Sequence, residues 1–108
     1  MRLRALAALL IVAVVAMGCT TTQMRTSCIG AGVVDAGTTA VGISNGATEA
    51  NPLLRPAPAI GTLVVTALTV IAAEHLRKTG HDTAARWAYG VCALTHGGAA
   101  VWNGTQFR

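Results

Sequence analysis

Pro58-Ala-Ile-Gly-Thr-Leu-Val-Val-Thr-Ala-Leu-Thr-Val-Ile-Ala-Ala-Glu-His-Leu76 decides how this chain is read. Ala59 to Ala73 carries no charge. A helix on the surface of a water-soluble protein needs a polar outer face, and this segment has no charged one. Its β-branched residues would suit a strand, but the run is too long for one, so length predicts a helix. At 1.5 Å rise per residue it just covers a hydrocarbon core about 30 Å thick. Pro58 suits a first-turn position. Arg77, Lys78 and Gly80 supply the stop, with basic residues in the last turn and a glycine beyond. Thr62, Thr66 and Thr69 follow the helical spacing and make a hydroxyl stripe on one face.

The composition extends this reading to the rest of the chain. The 108 residues fit one domain, and 53% are hydrophobic against 11% charged. Soluble domains carry about 25% charged residues. A chain this short has a high ratio of surface to volume and would need that polar surface in water. The bilayer is therefore the expected solvent. The net charge is +4. Arg2 and Arg4 belong to a targeting segment, and the other basic residues are dispersed: Arg25, Arg55, Arg77, Lys78, Arg86 and Arg108. They form no phosphate-binding stripe, so no nucleic-acid partner is expected.

Two further apolar segments flank the first. One runs from about Cys28 to Asn45 and is rich in Gly, Ala and Val. Asn51-Pro52 and Arg55-Pro56-Ala57-Pro58 form a rigid turn after it, because proline fixes its own dihedral and restricts the residue before it. The other runs from about Thr83 to Asn103, with Asp82 as its N-cap. The expected fold is all-α, a small membrane-embedded bundle of three helices over residues 28–108. Gly42 and Gly46 lie four apart and share a face. Gly90, Gly97 and Gly104 recur at intervals of seven. Gly42, Gly46, Gly90 and Gly97 are the expected points of close helix approach. Trp87, Tyr89 and Trp102 fall near the ends of the last helix, where interfacial aromatics belong.

The N-terminal segment has its own pattern. Met1-Arg2-Leu3-Arg4 is a short positive region, and Ala5 to Ala16 is an unbroken apolar stretch of signal-peptide length. Ala16-Met17-Gly18-Cys19 then resembles the lipobox of bacterial lipoproteins. That resemblance implies that residues 1–18 are a signal peptide removed before Cys19. Cys19 would receive a diacylglycerol on its sulfur and, in many bacteria, an acyl chain on its amine, anchoring a tether over residues 19–27. It implies a bacterial cell membrane, lipid-anchored on the extracytoplasmic side. Thr20 after the cysteine fits outer-membrane sorting, whereas helical spans favour the inner membrane.

Ionisable groups at membrane depth are costly and face a protein interior. If three helices alternate direction, the first and third are parallel. Counting depth from Cys28 and Thr83 then puts Asp35 level with Tyr89 and, across the antiparallel pair, near Thr69 or Val70. Asp35 is expected to bond Tyr89 or a threonine hydroxyl. Glu49 and Asn51 are expected to meet Asn103. Tyr89, His96 and Asn103, spaced by seven, share one face.

Asp35-Ala-Gly-Thr38-Thr39, followed by Gly46-Ala-Thr-Glu49-Ala-Asn51-Pro52-Leu53, resembles the motif of an uncharacterised family of small bacterial integral-membrane proteins. In that pattern two more membrane helices follow and end near an asparagine, the place of Trp102-Asn103. The resemblance covers roughly residues 29–103. It implies the topology and a structural importance for Asp35, Glu49 and Asn51, and it brings no activity.

Other chemistries are weakly encoded. Asp35, Glu49, His75, His81 and His96 lack the converging spacing of a metal site, so no metal is expected. Cys92 and His96 lie four apart and Ser44 is a second hydroxyl or thiol candidate, but no oxyanion-hole signature accompanies either, so no catalytic residue is assigned. With Cys28 at a helix start and Cys92 ten residues into another, their depths differ by about 13 Å, so both are expected to be thiols. The expected function is a non-enzymatic lipid-anchored module, with no cofactor beyond the lipid on Cys19. It would pack with a second copy or a membrane-protein partner. The alternatives are a minimal ion, proton or small-solute transport unit using Asp35, Glu49 and His96, and a membrane-embedded enzyme.

Overall fold

The computed structural model describes residues 2–8, 19–48, 52, 53 and 55–105. Residues 2–8 are helical and exposed. Three long helices follow: α1 (Thr21–Ser44), α2 (Pro58–Lys78) and α3 (Asp82–Thr105). No strand occurs among the described residues, so the chain is all-α as expected.

Helix α1 begins seven residues before Cys28. The Thr20 hydroxyl accepts the Gln23 N–H at 3.1 Å, and Gln23 Oε1 accepts the Thr20 N–H at 2.9 Å. This reciprocal capping box satisfies two backbone donors that a helix start leaves without partners. The stretch from Thr20 to Thr26 is therefore the cap and first turns of α1 and not a tether. At the other end Asn45 is the C-cap and Gly46 takes a φ of +93°. Gly46 thus ends the helix in a conformation that favours glycine. It is no helix-packing residue.

Pro58 opens α2 at its first turn, and His75, Arg77 and Lys78 occupy the last turn beside its carbonyl-rich end. Gly80, with a φ of +85°, turns the chain into α3. The Thr21 hydroxyl donates to Asp82 Oδ1 at 3.0 Å. The first residues of α1 and α3 are thereby level, the two helices run parallel in direct contact, and α2 returns antiparallel alongside both.

Burial follows the 3.6-residue period, with a particular polarity. The inward positions are Met24, Cys28, Gly32, Asp35, Ala36, Thr39 and Gly42 on α1, Thr62, Thr66 and Ala73 on α2, and Ala85, Tyr89, Cys92 and His96 on α3. These are mostly small or polar residues. The large aliphatics point outward: Val33 and Val34, Ile60, Leu63, Val64, Leu68 and Ile71, then Val91, Leu94 and Val101. Among the described residues one helix, α2, is long and apolar enough to cross a membrane, and only 17% of its apolar stretch is buried within the protein. Helices α1 and α3 are longer but are diluted by threonine, glycine and ionisable residues.

Cys28 and Cys92 form a disulfide with their Cα atoms 5.2 Å apart, which overturns the expectation of two thiols. Their expected separation in depth follows from taking the first apolar helix to start at Cys28. With α1 starting at Thr21, Cys28 lies seven residues in and Cys92 ten residues in, an axial difference of about 4–5 Å.

Gly32 is the tightest crossing. A Cβ there would sit 2.6 Å from Thr66 Cγ2 and closer still to the Thr66 hydroxyl. Gly90 faces Met24 Cε, which would lie 3.1 Å from its Cβ, and Gly42 is buried on the inner face of α1. A Cβ at Gly97 would meet nothing within 4 Å, so this glycine is not a point of close approach within the chain. Gly32→Leu is expected to force α1 and α2 apart and to cost about 1–3 kcal/mol or more, as overpacking does. Gly97→Ala is expected to leave stability unchanged or raise it by about 0.5–1 kcal/mol, from the higher helix propensity of alanine. Denaturant unfolding of both variants in detergent checks the contrast.

Candidate functional site: a buried aspartate–histidine cluster

Asp35 lies fourteen residues past the first residue of α1, and His96 fourteen past the first residue of α3. Since these helices start level, the two side chains meet at mid-bundle, about 21 Å along the axis. Asp35 Oδ2 is 2.7 Å from His96 Nδ1, and both residues are more than 90% buried. The other imidazole nitrogen, Nε2, is 3.3 Å from Thr66 Oγ1 on α2. One histidine thus joins all three helices.

The remaining carboxylate oxygen is also held. Asn103 Nδ2 reaches Asp35 Oδ1 at 3.2 Å, and the Thr39 hydroxyl approaches the same oxygen at 3.5 Å. Asn103 Nδ2 lies within 3.1 Å of the Thr38 and Thr39 hydroxyls as well. Thr38 donates to the Asp35 carbonyl one turn back. Below the imidazole, Thr66 donates to the Thr62 carbonyl at 2.8 Å and Thr62 to the Pro58 carbonyl at 3.0 Å. Among the described residues no buried side-chain nitrogen or oxygen is left without a hydrogen bond. That matters because a buried charge is tolerated only when paired and hydrogen-bonded.

Most members of this cluster stand out in the sequence as polar residues within apolar helices, but they pair differently from the expectation. Asp35 meets His96 and a threonine hydroxyl, that of Thr39, and not Tyr89. Asn103 meets Asp35, Thr38 and Thr39. Glu49 and Asn51, its expected partners, lie outside the described residues, and Pro52 sits in an exposed turn between α1 and α2. Of the threonine stripe, Thr62 and Thr66 face the cluster, while Thr69 is half-buried.

A second polar knot closes the bundle end near Thr21. Glu74 Oε1 accepts from Arg25 at 3.1 Å and from the Tyr89 hydroxyl at 2.6 Å. Its Oε2 accepts two bonds from Arg77, at 3.0 and 2.6 Å. Tyr89 is fully buried and is not an interfacial aromatic, whereas Trp87 and Trp102 are exposed near the two ends of α3. Glu74 went unremarked in the sequence, although its spacing of three from Arg77 is that of an intrahelical ion pair. Close by, Arg86 donates to the Cys19 carbonyl at 2.8 Å and fixes the start of the expected mature chain against α3.

The nucleophile candidates are placed elsewhere. Cys92 is in the disulfide, and Ser44 is exposed at the end of α1, donating to the Val41 carbonyl. His75 and His81 are exposed, and no group of three His, Cys, Asp or Glu side chains converges among the described residues. A groove of roughly 450 Å³ between α2 and α3 is lined by Val65, Thr69, Trp87, Val91, Thr95 and His96. Comparison with protein families, with curated proteins and with solved structures finds no match.

Proposed function

We propose that this chain is a lipid-anchored membrane protein whose three helices form a non-enzymatic, bilayer-embedded module. The observation that carries this reading is the distribution of polarity. Valine, leucine and isoleucine cover the outside, while Asp35, His96, Thr66 and Asn103 meet within. Water would reverse that order, and hydrocarbon requires it. In this reading α1 and α3 tolerate their polar residues because those residues face one another and not lipid.

The position of the disulfide supports an orientation. Cys28 and Cys92 lie two to three turns from the end that carries Cys19. Disulfides persist outside the cytoplasm, and a lipobox cysteine is modified there too. Both features support an extracytoplasmic placement of this end. The bias of basic residues towards the cytoplasm runs the other way. Two of the basic residues at this end, Arg25 and Arg77, are held by Glu74, and the lipid sets the orientation. The partners are membrane lipid and a second copy or another membrane protein. Transport of a proton, ion or small solute is the second reading, and the ionisable pair at mid-bundle favours it.

Mass spectrometry of the membrane-fraction protein tests the proposal. The mature chain is expected to begin at Cys19 with the added mass of a diacylglyceryl group. Cys19→Ser is expected to retain residues 1–18 and still resist alkaline extraction. An unmodified chain that alkali releases into the supernatant would contradict both halves of the reading.

A further inference from the structure

The groove between α2 and α3 occupies a defined depth. Trp87 lies five residues past the first residue of α3 and Thr95 thirteen, while Thr69 lies nine residues before the last residue of α2 and Val65 thirteen. Both walls therefore end about 20 Å from the turn that joins the two helices, and the groove begins about 8 Å from it. Its length, about 12 Å, fits within one leaflet, half of a hydrocarbon core about 30 Å thick. A partner helix that spans the bilayer would need a longer seat. The walls are apolar, with Val65, Trp87 and Val91 all exposed. The Thr69 hydroxyl is turned back to the Val65 carbonyl at 2.9 Å, and His96, at the far end, is already clasped by Asp35 and Thr66. The end above the groove is basic. The turn from α2 to α3 carries Lys78 and His81, both exposed. The acids beside it are engaged: Glu74 holds Arg25, Arg77 and Tyr89, and Asp82 accepts from Thr21. Lys78 makes no ion pair among the described residues.

We propose that this groove binds one acyl chain of an anionic phospholipid, whose phosphate sits at the Lys78–His81 turn. An acyl chain matches the groove in length and in chemistry, since it needs no hydrogen bond from the walls. Lysine at a helix end reaches the headgroup level with its charge while its stem lies along apolar surface. Any phospholipid can fill the groove, but the Lys78 charge favours a headgroup of net negative charge. Basic side chains beside a gap between membrane helices select such headgroups. Trp87, five residues into α3 at the outer rim of the groove, has the place of an interfacial aromatic. The inference rests on the reading of the chain as bilayer-embedded and adds to it a preferred lipid and the place where that lipid binds.

Fluorescence of Trp87 tests it. The chain has two tryptophans, so Trp102→Phe leaves Trp87 as the reporter. The full chain in detergent micelles is titrated with phosphatidylglycerol or phosphatidylcholine carrying the same brominated acyl chains, and bromine quenches an indole that it touches. Saturable quenching by one lipid per chain is expected, with phosphatidylglycerol bound about fivefold more tightly, the worth of one lysine beside an anionic headgroup. Lys78→Gln is expected to bring the two lipids level. Val65→Phe, at an exposed position, fills the groove. It is expected to abolish the saturable phase and to leave the unfolding midpoint unchanged. Equal affinities for the two lipids before any change at Lys78 overturn the proposal, as does saturable quenching that survives Val65→Phe. Absence of quenching, the result if a second copy or another protein covers the groove, overturns it too. Alkaline extraction decides insertion separately: a chain that stays in the membrane without distinguishing the two lipids loses this proposal alone.

Discussion

Asp35→Ala is expected to destabilise the folded chain by about 3–5 kcal/mol, the cost of removing one partner from a buried, hydrogen-bonded pair. The substitution strips His96 Nδ1 of its acceptor at 2.7 Å and removes the oxygen that Asn103 and Thr39 share. His96 and Thr39 are buried too deeply for water to replace the carboxylate freely. Total stabilities of small domains run to about 5–15 kcal/mol, so the loss is a large share of the whole. Thr38→Ala removes a hydroxyl at the rim of the same cluster, where Thr38 is half-buried, and about 1 kcal/mol is expected. Reversible unfolding of the two variants in mixed micelles gives the comparison. An Asp35→Ala protein within about 0.5 kcal/mol of wild type, the range of an ordinary surface substitution, contradicts the clasp.

Breaking the Cys28–Cys92 bond is expected to cost about 4 kcal/mol. The cross-link spans 64 residues, and in the chain-entropy account a loop of that length removes about that much from the freedom of the unfolded chain. Cys92→Ala and treatment of the wild type with reductant are expected to lower the unfolding midpoint by similar amounts. Cys19→Ser is expected to leave it unchanged, because Cys19 is no part of the cross-link. The disulfide and the Asp35–His96 pair join the same two helices, with Cys92 one turn from His96. Their losses are therefore expected to be non-additive, and a double-mutant cycle of Asp35→Ala with Cys92→Ala measures that coupling. Equal midpoints with and without reductant contradict a disulfide that staples α1 to α3.

The seven residues from Thr20 to Thr26 explain most of what the sequence hid. Their threonines are weak helix formers, so the stretch reads as a polar tether and α1 is taken to start at Cys28. Every depth counted along α1 is then wrong by two turns. That one shift sends Asp35 to Tyr89 in place of His96 and puts Cys28 and Cys92 out of reach. The signal that corrects it was present, since Thr20 and Gln23 have the spacing of a capping box. The segments themselves were legible because their punctuation is strong: Pro58 opens α2, Gly80 follows it, and Asp82 begins α3. The inward residues were legible as well, since an aspartate, a histidine and an asparagine within apolar helices have no other tolerable place. Close packing was less so. Gly42 and Gly90 fall on inner faces, but Gly46 terminates a helix, Gly97 faces open space, and the closest crossing is at Gly32. Sequence spacing tells which glycines share a face and not which face meets a neighbour.

In the proposed membrane module large aliphatic side chains face lipid while the acids and hydroxyls face one another. Paramagnetic relaxation of methyl resonances in lipid nanodiscs measures this most directly, with a fatty-acid nitroxide set against a water-soluble gadolinium chelate. The methyl groups of Val64, Leu68 and Ile71 on α2, and of Val91 and Leu94 on α3, are expected to relax with the fatty-acid probe and to be untouched by the chelate. The Thr62 and Thr66 methyls are expected to escape both. Strong relaxation of the aliphatic methyls by the chelate would contradict the account.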